Sequence, residues 1–120
     1  PANVVLITDS LKPAALTEGP FIINGEEAFL GDNSAFYMKK EPTLMMGSSL
    51  TMLQGVKNLG SWGVPLEDAV MMGTATPARS YNLEGVGVLS PGYKGDIAIF
   101  DQEYNLKGTF IEGQLIRDNF

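Results

Sequence analysis

Histidine and cysteine are both absent from this sequence of 120 residues. Without them the chain alone cannot assemble a Ser-His-Asp or Cys-His nucleophile system, or a zinc site with imidazole or thiolate ligands. We therefore expect no metal or other cofactor to be held by this chain on its own. The lack of cysteine also agrees with a cytoplasmic protein.

Positive charge is scarce as well. The chain has 8 Lys and Arg against 14 Asp and Glu, which gives a net charge of -6. Such a charge repels phosphate backbones and anionic lipids, so we expect no nucleic acid and no membrane among its partners. Long apolar runs are missing too, because no stretch approaches the roughly 18 to 20 residues of a membrane span, and no signal peptide is indicated.

The composition is otherwise that of a globular α/β domain, and the chain opens on an apolar run. Val4 to Ile7 predict a strand buried on both faces, as in a parallel sheet covered by helices. Asp9 follows where this strand would leave the sheet, which is where such folds collect their reacting groups. The alternative is that Thr8 to Ser10 form only a polar turn.

Turn residues divide the next part of the chain. The segment from Ser10 to Pro20, with two prolines and a glycine, predicts a mobile, lid-like loop. Asn24-Gly25 predicts a tight hairpin between strands at Phe21 to Ile23 and Glu27 to Leu30. A third strand is expected at Ala35 to Met38.

Helical patterns follow. An apolar stripe predicts a helix from Gly47 to about Leu59, with Ser48 or Ser49 as its N-cap. Two more helices are expected, one beginning at Pro65 and ending at Met72 or Gly73, the other capped by Thr76 and ending near Asn82. From Gly85 onward the pattern changes to turns and strands, which we expect at Ala98 to Phe100, Leu106 to Ile111 and Gln114 to Ile116.

Four stretches of the sequence resemble a known family: Val5 to Asp9, Met46 to Met52, Ala75 to Arg79, and Gly87 to Asp96. In this order they resemble the C-terminal part of the N-acetylglucosamine-6-phosphate deacetylases, of the metal-dependent amidohydrolase superfamily. The last stretch is shared widely in the superfamily, whereas Gly-Ser-Ser-Leu-Thr-Met beside Thr-Asp is typical of the deacetylases.

The resemblance implies an α/β fold, the C-terminal fragment of a (β/α)8 TIM barrel plus the C-terminal strands of a small β-sandwich. Residues 1-84 would be the last barrel strand, a loop and hairpin excursion and the terminal helices, and residues 85-120 part of the sandwich. A barrel takes about 250 residues, so the missing N-terminal part of the same protein is an expected partner. The divalent metal of the parent enzyme, zinc, iron or similar, would be held there, and the isolated fragment would be inactive.

Residue roles follow from the same resemblance. Asp9 matches the catalytic acid that takes a proton from the metal-bound water and passes it to the leaving amine. Met45, Met46 and Gly47 match the segment whose backbone lies against the sugar substrate. The structural alternative for these three residues is a capped helix start with two core methionines. For Arg79 and Trp62 a structural role is expected.

The function implied is hydrolysis of the N-acetyl group of N-acetylglucosamine 6-phosphate, yielding glucosamine 6-phosphate and acetate. One alternative is a non-catalytic module for a phosphorylated sugar or a protein, with Gly47 to Ser49 as a helix-start anion site. Another is an amidohydrolase relative with a different substrate. Because a lone barrel strand would leave apolar surface exposed, a homo-oligomer is also expected.

Overall fold

The chain is described by a computed structural model that covers residues 3–16 and 18–119. It divides into two compact units. The first unit is Ile7–Gly55, and the second combines the described residues up to Leu6 with those from Val56 onward. The predicted domain boundary between residues 84 and 85 concerns the complete protein and stays a prediction.

The first unit is built on a four-stranded antiparallel sheet in which each strand pairs with the next along the chain. Its strands are β1 (Phe21–Ile23), β2 (Glu26–Leu30), β3 (Ala35–Met38) and β4 (Met45–Ser48). The predicted hairpin is confirmed, because Asn24 and Gly25 both have positive φ, 52° and 83°, between β1 and β2. Two successive positive φ angles are what a type I′ turn requires, and Asn and Gly adopt them at low cost.

The core of the first unit lies on one face of this sheet. Side chains alternate along β1, where Phe21 and Ile23 are buried and Ile22 is exposed. The Phe21 ring meets the fully buried Phe36 ring edge to face, with 5.1 Å between centroids. Around this pair pack Ala28 and the half-buried side chains of Leu11, Leu30 and Met46.

The predicted helix start at Gly47 is wrong. The helix α1 is Met52–Ser61, and its N-cap is Thr51, whose Oγ1 accepts a hydrogen bond from the Gln54 amide at 3.2 Å. This is the bond that a cap makes to the third helical residue. The apolar stripe was correctly placed, since Val56 is buried.

The residues before the helix form β4 instead of its first turn. Gly47 pairs with Phe36 of β3, and Ser48 with Ala35. A Gly-Ser-Ser run is typical of caps, but hydrogen bonds to the preceding strand, β3, override that local preference here. The local sequence does not indicate such a partner, so this strand was not predicted.

The expected opening strand is also not formed within the described residues. Val4 is 53% exposed and Ile7 is 70% exposed. The Leu6 amide donates a hydrogen bond to the carbonyl of Met72 at 2.8 Å, but Met72 is a helical residue, so this bond does not pair two strands. A strand buried on both faces needs a neighbour on each side, and the described chain does not supply them.

Helices of the second unit are α2 (Leu66–Gly73) and α3 (Ala75–Ser80), which contact each other. Pro65, which was predicted to begin α2, lies at its cap position, and the helix begins one residue later, at Leu66. Thr76 was expected to cap α3 but lies inside it, buried, with its Oγ1 accepting from Arg79 Nη2 at 3.5 Å. The chain enters α3 directly after α2, so Thr74 occupies the cap position without a side-chain cap bond.

A three-stranded antiparallel sheet completes the second unit, with strands β5 (Ile97–Phe100), β6 (Leu106–Ile111) and β7 (Gln114–Asp118). All three predicted strands are confirmed with small changes of boundary. Glu112 and Gly113 turn the chain between β6 and β7 with φ of 51° and 79°. Among the described helices, none has the length and hydropathy of a membrane span.

The connection from β5 to β6 is organised by Asp101. Its Oδ1 accepts hydrogen bonds from the amides of Glu103 at 3.1 Å and Asn105 at 2.8 Å. Its Oδ2 accepts from Asn105 Nδ2 at 3.0 Å and lies 3.2 Å from Lys107 Nζ. The carboxylate therefore takes the place of backbone acceptors within the turn.

Candidate active site

The predicted catalytic residue lies beside β4 in the first unit. Ser10 and Ser48 form a parallel β-bridge, in which the Ser48 amide donates to the Asp9 carbonyl at 2.8 Å and the Leu11 amide donates to the Ser48 carbonyl at 2.9 Å. The first residues of the loop, Ser10 and Leu11, are thus bonded to the sheet. The structure brings Asp9 together with the strand that carries Met45, Met46 and Gly47.

The side chains of two serines add to this bridge. Ser48 Oγ donates to the Thr8 carbonyl and accepts from the Leu50 amide at 3.0 Å. Ser10 Oγ donates to the Leu50 carbonyl. Both serines therefore connect the Thr8–Leu11 segment to the chain between β4 and α1.

Asp9 itself has an unusual backbone and an available side chain. Its φ is 50°, in the left-handed region that Asp and Asn adopt more readily than most other residues. The residue is exposed, and within the described part of the chain its carboxylate forms no hydrogen bond or ion pair. The backbone of Asp9 is held while its carboxylate stays open to solvent or a ligand.

The three predicted substrate-binding residues differ in their surroundings. Met45 is 59% exposed, whereas Met46 is half-buried against the core of the sheet. Gly47 is buried with φ of 143°, and a Cβ atom there would lie 2.6 to 2.8 Å from the Leu11 side chain. Glycine is needed at this position because the Leu11 side chain occupies the space of a Cβ.

A metal does not fit the donors of this chain. In residues 3–16 and 18–119, no group of three or more acidic, histidine or cysteine side chains is placed to hold a metal ion. The Asp9 carboxylate is exposed and does not belong to any such group of three in these residues. A site of the zinc or iron type needs three or more converging donors, so Asp9 alone does not form one.

Two other features were considered as candidate sites, the side chain of Trp62 and a pocket on the first unit. Trp62 is 75% exposed after the end of α1. A pocket of about 290 Å³ on the first unit is lined by residues that include Phe29, Glu27 and Lys39, and no predicted site residue lines it. The pocket therefore does not coincide with the candidate site.

Sequence reasoning missed the two residues that fix Asp9, Ser48 and Leu11. Ser48 was interpreted as a helix cap, and Leu11 as part of a mobile loop. The signal that could have found Leu11 is the glycine at position 47, since a buried glycine in a strand often marks the close approach of another group. The alternative of an anion site at Gly47 to Ser49 assumed that these residues begin a helix. That assumption is wrong, because the helix α1 begins at Met52.

Comparison with known proteins gives the family. The sequence pattern of the Amidohydrolase family matches residues 2–116. The chain belongs to this family. The resemblance to the deacetylases is likewise confirmed: the N-acetylglucosamine-6-phosphate deacetylase of Vibrio furnissii is 27% identical over 119 residues, which are 98% of this chain and 29% of that protein.

Two further relatives agree. The N-acetylgalactosamine-6-phosphate deacetylase of Escherichia coli O157:H7 is 29% identical over 94% of this chain and 30% of its own length. The crystal structure of the N-acetylglucosamine-6-phosphate deacetylase of Pasteurella multocida superposes with a TM-score of 0.85 at 22% identity, over 95% of this chain and 30% of that one. The amidohydrolase chain thus shares the mixed α and β fold of these proteins and spans about 30% of their length.

Proposed function

We propose that this chain is part of a hydrolase that removes the N-acetyl group of N-acetylglucosamine 6-phosphate and yields glucosamine 6-phosphate and acetate. The observation that carries the proposal is Asp9, whose backbone is bonded to Ser48 while its carboxylate is exposed and without a partner in the described chain. This arrangement suits proton transfer, because the group is positioned and not engaged in holding the fold.

The chemistry asked of Asp9 is general base and then general acid catalysis. Its carboxylate would take a proton from the attacking water as the water oxygen bonds to the acetyl carbonyl carbon. It would then give that proton to the sugar nitrogen as the C–N bond breaks, which releases acetate and the free amine. The backbone of the Met45 to Gly47 strand would border the sugar, with Met45 as the side chain open to solvent.

The complete protein is needed for this reaction. Amidohydrolases generally use divalent metals, and the donors in the part of the chain that the structure describes do not form such a site. We propose that Val4 to Ile7 become a strand of a (β/α)8 barrel in the complete protein, whose other strands bring the remaining catalytic groups. The exposed apolar side chains of Val4 and Ile7 support this proposal, because the interior and the surrounding helices of a barrel would cover the two faces of such a strand.

On this proposal residues 1-84 belong to the barrel and residues 85-120 to a β-sandwich, the isolated chain is inactive, and the complete protein is a cytoplasmic homo-oligomer. The binding-module alternative is not favoured, because the helix start on which it depended is a strand. The alternative of a different substrate is reduced to a choice between two sugars. One relative is named for the galactosamine epimer, so both N-acetylhexosamine 6-phosphates are included in the test.

The test is an acetate-release assay on the complete protein that carries this sequence, with a divalent metal added. Asp9→Asn should lower kcat by about 10²- to 10⁴-fold with KM nearly unchanged, because it removes the proton-transferring carboxylate and keeps its shape. Asparagine also tolerates the positive φ of Asp9, so the fold should be retained.

The matched control is Asp32→Asn, which removes a carboxylate from an exposed turn of the same unit. Its kcat should stay within a few-fold of the unsubstituted protein. N-acetylglucosamine 6-phosphate, N-acetylgalactosamine 6-phosphate and unphosphorylated N-acetylglucosamine are assayed in parallel. Absence of acetate release from both phosphorylated sugars by a folded, metal-supplied protein would refute the proposal.

A further inference from the structure

Ser48 bonds to both peptide groups that flank the Asp9 Cα atom. Its Oγ donates to the Thr8 carbonyl, which belongs to the peptide before Asp9. Its amide donates to the Asp9 carbonyl at 2.8 Å, which belongs to the peptide after Asp9. The orientations of these two peptide planes define φ and ψ of Asp9, and with them the direction of its Cα–Cβ bond.

The backbone that these bonds hold is one that non-glycine residues adopt uncommonly, Asp and Asn more readily than the others. The φ of 50° at Asp9 lies in the left-handed region, where side chains other than those of Asn and Asp are strongly disfavoured. Such a conformation persists when surrounding contacts fix it, and it occurs often at functional sites. Ser48 supplies two of those contacts, and the bond from the Leu11 amide to its carbonyl supplies a third, at 2.9 Å.

Resting on the proposed function, we infer that Ser48 is a positioning residue that sets the direction of the Asp9 carboxylate for proton transfer. Ordinary strand pairing would need only the backbone of Ser48. Its hydroxyl makes the additional bond to Thr8, and it is itself held by the Leu50 amide at 3.0 Å. The hydroxyl is thus oriented by one neighbour and acts on the peptide next to Asp9.

The neighbouring Ser49 provides a control within the same chain. Its amide donates to the Ser34 carbonyl at 2.8 Å, and its Oγ donates to the same carbonyl at 3.3 Å. These bonds connect it to the turn before β3 and not to the Thr8–Leu11 segment. Ser49→Ala therefore removes a serine hydroxyl of similar burial without touching the peptides of Asp9.

The experiment compares Ser48→Thr with Ser48→Val in the complete protein. Valine and threonine have nearly the same shape, and both suit a strand, so the pair differs mainly in the hydroxyl. Ser48→Val and Ser48→Ala should lower kcat by about 10- to 100-fold with little change in KM, because misplacing a reacting group has effects of that size. Ser48→Thr should stay within a few-fold of the unsubstituted protein, and so should Ser49→Ala.

A second measurement distinguishes positioning from a general effect on the fold. Ser48→Val is combined with Asp9→Asn, and the melting temperature of every variant is recorded. If Ser48 acts through Asp9, the valine substitution should lower kcat no further in the Asp9→Asn background. An equal loss of kcat in both backgrounds would overturn the inference, and so would equal kcat for the threonine and valine variants.

These outcomes separate the inference from the proposed function. If Asp9→Asn abolishes turnover and Ser48→Val leaves it unchanged, the positioning role of Ser48 is refuted and the role of Asp9 stands. If Asp9→Asn itself leaves turnover unchanged in a folded protein, the role of Asp9 is refuted, and with it the positioning role of Ser48, whereas the proposed deacetylation is tested separately by acetate release from the unsubstituted protein.

Discussion

Asp9 and Asp101 are two acids that the fold uses in opposite ways. At Asp9 the backbone is held, by hydrogen bonds from Ser48, and the carboxylate has no partner in the described chain. At Asp101 the carboxylate itself does the holding, since it accepts from the amides of Glu103 and Asn105 and pairs with Lys107.

The hydrogen bonds to the Asp101 carboxylate change its pKa. Hydrogen bonds from the side chain and then the amide of Asn105 lower the pKa of the Asp101 carboxyl from 3.8 to about 2, with a smaller contribution from Lys107. Hydrogen bonds and a nearby cation favour the charged form of a carboxyl group. A carboxylate committed in this way to a turn is not available for proton transfer near neutral pH.

The comparison teaches how to weigh an acid in a sequence of unknown function. Both aspartates follow an apolar run, at Val4 to Ile7 and at Ile97 to Phe100, so local pattern does not separate them. What separates them is the direction of the hydrogen bonds, toward the backbone in one case and toward the carboxylate in the other. That direction depends on residues distant in sequence only for Asp9, because Ser48 is 39 residues further along the chain and β4 was not predicted.

The largest expected effect on stability comes from disturbing the contact that holds the Asp9 segment. Gly47→Ala places a Cβ atom 2.6 to 2.8 Å from the Leu11 side chain, at a φ of 143° that alanine rarely adopts. Backbone strain and overpacking should together lower the free energy of unfolding by about 2 to 4 kcal/mol. Chemical or thermal denaturation of the complete protein measures this loss.

Gly25→Ala is the matched control for Gly47→Ala. Gly25 also has a positive φ, 83°, but a Cβ atom there meets nothing within 4 Å, so only the backbone strain remains, about 1 to 2 kcal/mol. Adding Leu11→Ala to Gly47→Ala should recover part of the larger loss by making room for the new methyl group. Equal destabilisation by the two alanine substitutions would show that Leu11 does not press on Gly47.

A smaller effect is expected at the other aspartate, and it should depend on pH. The folded-state pKa of Asp101 lies below its ordinary value, so the stability it contributes is present above about pH 4 and is lost as pH falls toward 2. Asp101→Asn should therefore lower the melting temperature near neutral pH, and the difference from the unsubstituted protein should fade between pH 4 and pH 2.

Asp32→Asn again serves as the charge control, measured over the same range of pH. The difference between the Asp101 variant and the unsubstituted protein is the informative quantity, because many other acids titrate in this range. A difference that stays constant from pH 7 to pH 2 would mean that the Asp101 charge does not stabilise the turn.

Turn chemistry explains which parts of the fold the sequence could predict. Asn24-Gly25 and Glu112-Gly113 both turn tight hairpins, and the strands around them lie close to where they were expected. These signals are local, since Asn24, Gly25 and Gly113 themselves adopt at low cost the positive φ angles that the turns require. The apolar period that predicted α1 is local in the same sense.

The parts that could not be predicted depend on partners far along the chain. Met45 to Ser48 form a strand because β3 and the Asp9 segment both bond to them. The sequence of these four residues does not indicate either partner. Val4 to Ile7 fail to form a strand for the converse reason, since an apolar run alone does not provide neighbours. Of the candidate site, Asp9 was predicted from its place after the apolar run and from the resemblance, whereas the residues that hold its backbone were not predicted.

The central claim is that Asp9 serves chemistry whereas Asp101 serves the fold, and one crossed measurement tests it directly. Asp9→Asn and Asp101→Asn are made in the complete protein, and for each variant kcat for acetate release from N-acetylglucosamine 6-phosphate and the melting temperature near neutral pH are recorded. We expect Asp9→Asn to lower kcat at least about 10²-fold with an unchanged melting temperature, and Asp101→Asn to lower the melting temperature with kcat within a few-fold. Near-normal turnover of a well-folded Asp9→Asn protein would contradict the account.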